Sequence, residues 1–164
     1  MLADSAISLP CFAPPRSFAA LMTLYESNYI RLRALVPLAA LGASPELVSH
    51  VPGDVPLYVA LCDRSRYTLT LHMTYFFEDD DARVADPDLY VRVYHDARMA
   101  EALACGAQHR HPLFAPFETS HGTELERRWS RNMMLNKWLE YCTDRGHSLI
   151  LPPRPESAVI TAAL

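Results

Sequence analysis

The chain has 164 residues, half of them hydrophobic and 21% charged, which suits one folded domain with a buried core. A formal net charge of −4 argues against general affinity for nucleic acid or anionic membrane, while leaving room for a local basic patch. Four widely spaced cysteines, Cys11, Cys62, Cys105 and Cys142, form no C-x-x-C pair and read as reduced thiols.

The opening segment MLADSAISLPCFAPP has no basic region and no unbroken apolar run, so a secretory signal is not expected. The longest apolar stretch, LVPLAALGA, is short and broken by Pro37, which excludes a membrane-spanning helix there. A cytoplasmic location is therefore expected. Pro10, Pro14 and Pro15 mark residues 1–15 as an extended or mobile arm. Ser17 can cap a helix whose apolar stripe is Phe18, Leu21, Tyr25, Leu32, Leu35 and Val36, and Pro37 stops it. Gly42, Pro45, Pro52 and Gly53 make 38–54 mostly loop, with a short strand near 46–51.

From residue 57 the period changes to two. LYVALCD (57–63) and RYTLTLHMTYF (66–76) read as a hairpin joined by Asp63-Arg64-Ser65. Tyr67, Leu69, Leu71, Met73 and Tyr75 share one face of its second strand; Thr68, Thr70, His72 and Thr74 share the other. EDDDARVADPD (78–88) reads as an acidic, solvated loop. LYVRVYH and MAEALAC follow as strands around His95 to Arg98. After a loop rich in His and Pro, Thr123 and Glu126 form a capping box. It precedes a long helix with the stripe Leu125, Trp129, Asn132, Leu135, Leu139 and Cys142, and Gly146 is its expected stop. LILPPRPESAVITAAL adds at most a short extended segment.

The expected fold is α+β: an antiparallel meander of four or five strands with an N-terminal and a C-terminal helix packed on one face, a two-layer sandwich. The single domain spans residues 16–151, and 152–164 form a C-terminal tail.

Chemistry is sparsely marked. His95 beside Asp96 suggests a carboxylate orienting an imidazole. Adjacent strand residues point to opposite faces, however, and aspartate is favoured in turns, so a polar hairpin turn is the simpler reading. His109, His111 and His121 lack the paired spacing of a zinc site, and no cysteine lies near them. Asp79-Asp80-Asp81 lacks the glycine and distal glutamate of a calcium loop. Five glycines leave no phosphate-binding loop, and neither a G-x-S-x-G elbow nor an H-E-x-x-H pair occurs. No catalytic residue, metal or cofactor is assigned.

What remains is a surface. If Leu89, Val91 and Val93 face the helices, then Tyr90, Arg92 and Tyr94 share the outer face with Thr68, Thr70, His72 and Thr74. Such a face has aromatic, hydroxyl and cationic groups suited to a partner or ligand. The helix run RRWSRNMMLNKWLEYC is a charged helix back or a second docking surface. Asn28 and Asn132 interrupt apolar stripes, and buried amides need partners. Bonds to the sheet or to each other would fix how the helices dock.

The segments LYESNYIRLRALVP, SRYTLTLHM, VRVYHDARMAEAL and NKWLEYCTDRGH resemble, in this order, the YqiB-like family of small bacterial proteins of unknown function, over roughly residues 18–150. The matching positions are Leu24 and Asn28, Arg66-Tyr67, Tyr94-His95-Asp96 with Ala100-Glu101, and Asn132 with Trp138-Leu139, Tyr141-Cys142 and Gly146. The family pattern carries Lys and Gln ahead of that asparagine, where this chain has Arg128 and Ser130. The resemblance implies a cytoplasmic proteobacterial protein. Its genes often lie beside one for a cyclic-AMP phosphodiesterase and near one for a Nudix hydrolase, an association with nucleotide metabolism or signalling. It implies no activity or cofactor, but it draws Tyr94, His95, Asp96 and Glu101 together as a candidate region.

The expected function is accordingly a non-catalytic module with a protein partner, without nucleic acid or membrane. The alternative is a domain that binds or hydrolyses a small anionic molecule, such as a nucleotide, through Arg66, Arg92 and His95.

Overall fold

The computed structural model describes residues 14–42, 46–79, 82–105 and 122–150. Helix α1 (Phe18–Leu35) starts where Ser17 Oγ accepts the Ala20 N–H at 3.2 Å, and it ends as Val36 turns extended ahead of Pro37. Five strands follow: β1 (Glu46–Ser49), β2 (Leu57–Arg64), β3 (Thr68–Asp79), β4 (Ala82–Tyr94) and β5 (Met99–Cys105). They form one antiparallel sheet in chain order. Helix α2 (Glu124–Asp144) opens with a complete Thr123–Glu126 capping box, and Gly146 takes φ 92° just past its end. The fold is α+β, with both helices on one face.

Leu69, Leu71 and Met73 of β3 and Leu89, Val91 and Val93 of β4 are fully buried, so the apolar side of the period-two pattern faces the helices. Leu32, Leu35 and Val36 meet them from α1, as do Leu135, Trp138, Leu139 and Cys142 from α2. The helices run side by side in the same direction: Asn28 meets Asn132, Ser27 meets Asn136, and Arg31 meets Glu140. Their N-terminal halves form a second cluster, in which Leu21, Leu24 and Tyr25 pack against Trp129 and Met133. Phe18 departs from the expected stripe. It lies outside both clusters at the first helical position and is 67% exposed.

Of the expected acidic loop over 78–88, residues 78–79 and 82–88 are instead strand. Phe76 pairs with Ala85, Phe77 with Val84, and Glu78 with Arg83, so β3 and β4 continue as one long hairpin. Apolar residues are interspersed with the charged ones there, and Glu78 sits across from the oppositely charged Arg83, which favours pairing over solvation. The Arg83 guanidinium lies 3.9 Å from the Phe76 ring centre and 4.9 Å from that of Tyr58. A bulge between Thr74 and Phe76 accommodates the buried Asp86-Pro87 step. Of the other expectations, residues 1–13 of the arm, the tail at 152–164, Asp80 and Asp81, and His109, His111 and His121 lie outside the described residues.

Candidate functional site

The side of the sheet away from the helices gathers most residues singled out from the sequence. Alternation puts Thr68, Thr70, His72 and Thr74 of β3 on this side, opposite Tyr94, Arg92, Tyr90 and Asp88 of β4 in the observed register. Glu101 of β5 lies across from Arg92. Tyr90 is 41% exposed and stacks on His72 with ring centres 4.8 Å apart. His72 Nε2 is hydrogen-bonded to Asp88 Oδ1. Arg92 Nε donates to Thr70 Oγ1 at 3.4 Å, and no carboxylate pairs with Arg92 among the described residues. Thr70 and Thr74 are buried beneath this layer, and Thr74 turns its hydroxyl onto the Tyr75 carbonyl. The accessible elements are therefore the Tyr90 ring, the His72–Asp88 pair and the Arg92 guanidinium.

At the β5 edge this face runs into the helices. Tyr94 Oη donates to Glu101 Oε1 at 2.6 Å. Burial and then that glutamate push the Tyr94 phenol above its ordinary pKa, against a smaller opposing effect of Arg92. Tyr25 of α1 approaches the same carboxylate and Arg128 of α2. Burial first, then the Glu101 charge, hold its phenol protonated up to about 12. The Tyr25 hydroxyl nonetheless makes no hydrogen bond of good geometry, so electrostatic proximity rather than a formed bond links it to Glu101.

Arg66 and His95 lie elsewhere. The Arg66 guanidinium sits 5.1 Å from the Tyr67 ring centre in the β2–β3 turn. His95 and Asp96 occupy the β4–β5 turn, which closes with Arg98 at φ 52°. No hydrogen bond or ion pair joins them. The His95 N–H instead donates to the Tyr67 carbonyl at 2.8 Å, tying the two turns together, and His95 lines a groove with Tyr29 and Arg33 of α1. The histidine–aspartate partnership suggested at 95–96 occurs between His72 and Asp88, a pair that only strand register brings together.

A second such partnership was not legible in the sequence. His147, just beyond α2, is buried, with Nδ1 3.1 Å from Ser49 Oγ and Nε2 3.3 Å from Asp54 Oδ2. Arg145 Nε reaches the same Asp54 oxygen at 3.2 Å. The trio has the composition of a hydrolase triad with the ring nitrogens exchanged, since there Nε2 meets the serine and Nδ1 the aspartate. Ser49 Oγ also accepts the Ser148 N–H at 3.3 Å, and the His147 side chain is wholly enclosed. Ser49 has no open side on which a substrate could be attacked, so the trio acts as a clasp between β1, the loop after it and the end of α2. His147 is more than ninety residues from both Ser49 and Asp54 in the chain, and only Gly146, a helix stop, hinted that the chain returns there. Among the described residues no group of three or more His, Cys, Asp or Glu side chains could hold a metal. No described helix is long and apolar enough to cross a membrane.

An antiparallel meander backed by two parallel helices, with a polar, aromatic outer face, defines a small α+β module without a recognisable catalytic centre among the described residues. The family model "Protein of unknown function (DUF1249)" matches residues 31–148, and the chain belongs to that family. It is similar to the "Uncharacterized protein YqiB" of Escherichia coli K12, with 27% identity over 131 residues that cover 79% of this chain and 90% of the relative. The same values hold for the proteins so named in Escherichia coli O6:H1 and O157:H7. No solved structure matches the chain.

Proposed function

We propose that the protein is a non-catalytic module that binds another protein through the outer face of its sheet. The observation that carries this reading is the exposed Tyr90 ring, held against His72 beside an Arg92 that lacks a carboxylate partner among the described residues. Tyrosine and arginine on a firm backbone are the groups that dominate binding energy at protein interfaces. Sheet pairing fixes both side chains in advance, so little ordering entropy remains to be lost on association. The widely spaced cysteines, with Cys62 and Cys142 unpaired, favour a reducing compartment, and we take the protein to act in the cytoplasm. A link to nucleotide signalling would come through the identity of the partner.

The test is capture from the native host with wild type beside a Tyr90→Ala/Arg92→Ala double variant, followed by titration of the purified partner. Both side chains project from the surface, so circular dichroism should confirm that the variant folds. A stoichiometric partner that binds wild type, and the double variant at least about tenfold more weakly, is the expected result. A partner bound equally by both proteins, or turnover of a substrate that depends on His72 or His95, would overturn the reading.

A further inference from the structure

The other side of the β4–β5 turn carries a feature independent of the sheet face. A groove of about 320 Å³ lies between the last turns of α1, the segment after it and His95. Tyr29 and Arg33 are one helical turn apart and so line the same wall. His95 and the apolar stretch Val36 to Ala40 complete the lining of the groove. In a protein of formal charge −4, no carboxylate among the described residues lines this groove. The side chains of Tyr29, Arg33 and His95 have no hydrogen-bond or ion-pair partner among the described residues.

We infer that this groove binds the oxyanion of a small organic molecule, a phosphate monoester or carboxylate whose apolar part rests on the stretch Val36 to Ala40. The end of a helix normally repels an anion through its free carbonyls. Here the Leu32 carbonyl accepts the Val36 N–H at 2.8 Å and the Leu35 carbonyl accepts the Leu149 N–H at 2.9 Å, which lessens that repulsion. Arg33 offers a planar fork matched to two oxygens, while Tyr29 and His95 supply single donors. The volume is at the lower limit for a small-molecule pocket, which restricts the ligand to one ring or a short chain. Asp96, next to His95, is the nearest acid in the turn and is not a lining residue. An oxyanion with a short tail is therefore accepted and a cation disfavoured.

The measurement is a titration of the full chain with phenyl phosphate, benzoate and inorganic phosphate, followed by amide NMR. Saturable shifts at Val36, Leu38, Ala39, Ala40 and His95 are expected with phenyl phosphate or benzoate, and their ratio tells which anion chemistry is preferred. Inorganic phosphate, which lacks the apolar part, should bind more weakly. Arg33→Ala and His95→Ala should each weaken binding about tenfold, because each removes a charge-assisted or polar donor from a surface position. Arg92→Ala, on the sheet face, should leave binding unchanged, which separates failure here from failure of the protein-binding reading. No saturable shift with any of the three anions, or binding unaffected by both groove substitutions, would overturn the inference.

Discussion

Asn28 Nδ2 donates to Asn132 Oδ1 at 3.2 Å, and both side chains are wholly buried between α1, α2 and the edge strand β5. The same two amides complete the sheet: Asn28 Nδ2 also donates to the Ala100 carbonyl at 3.3 Å, and Asn132 Oδ1 accepts the Ala102 N–H at 2.9 Å. β5 is the last strand, so these outward backbone groups have no strand to pair with. The helices deliver side-chain amides in place of a sixth strand. Asn136 extends the network by donating to Asn28 Oδ1 at 3.0 Å and Ser27 Oγ at 2.9 Å.

Asn132→Ala should therefore destabilise strongly. It strips the Ala102 N–H and the Asn28 amide of their shared acceptor and leaves a small void, for a cost of roughly 2–4 kcal/mol. Urea unfolding of Asn28→Ala, Asn132→Ala and the pair measures it. The two effects should be non-additive, because each single change already breaks the shared bond. Additive losses would mean that the amides act separately.

The Ser49–His147–Asp54 clasp should govern how firmly β1 is held. Asp54→Ala leaves the enclosed His147 without its Nε2 partner, a loss of roughly 2–3 kcal/mol. Arg145→Ala removes a half-exposed guanidinium that pairs with Asp54, donates to the Gly53 carbonyl at 2.9 Å and lies over the Tyr141 ring, and should cost about 1 kcal/mol, less than Asp54→Ala. Hydrogen exchange at Leu47 and Val48 should accelerate in Asp54→Ala and stay near wild type in Arg145→Ala.

Alkaline pH should unfold the protein, with two buried groups, Cys142 and Tyr25, leading the loss. Burial pushes the Cys142 thiol up to about 12, against an ordinary value near 9, with the Tyr75 hydroxyl 3.3 Å away as a smaller opposing influence. The Tyr25 phenol is likewise raised to about 12 from 10, by burial first. In both cases the folded state keeps a proton that the unfolded chain releases, so stability falls as pH rises. The loss should begin near pH 9 and continue to about pH 12, and denaturant midpoints measured across that window test it. Flat midpoints would contradict the assigned burial. For the same reason Cys142 should resist alkylation at pH 8 in the folded protein, while the exposed Cys62 reacts, as peptide mapping would show.

Thr123→Ala should cost about 1 kcal/mol, because Thr123 Oγ1 is the acceptor for the Glu126 N–H at the start of α2. Thr123→Ser keeps that oxygen and should fall within a few tenths of wild type. Thermal unfolding of the two variants side by side distinguishes a capping role from simple loss of a methyl group.

What the sequence determined by itself is everything governed by short-range periodicity. The helix starts at Ser17 and Thr123, the stop at Gly146, and the opposition of Leu69, Leu71 and Met73 to Thr70 and His72 all follow from caps and periods within a few residues. The resemblance to a family of unknown function was also legible, because its motifs are local strings. Tertiary structure decided the rest. The strand over 82–88 was hidden because its charges look solvated until Arg83 is paired with Glu78 and laid on Phe76. The pairing of His72 with Asp88, and of His147 with Asp54 and Ser49, depends on register and on where α2 ends. A buried polar group takes whichever partner the packed backbone brings within three ångströms or so, and that distance is set by the whole fold rather than by neighbours in the chain.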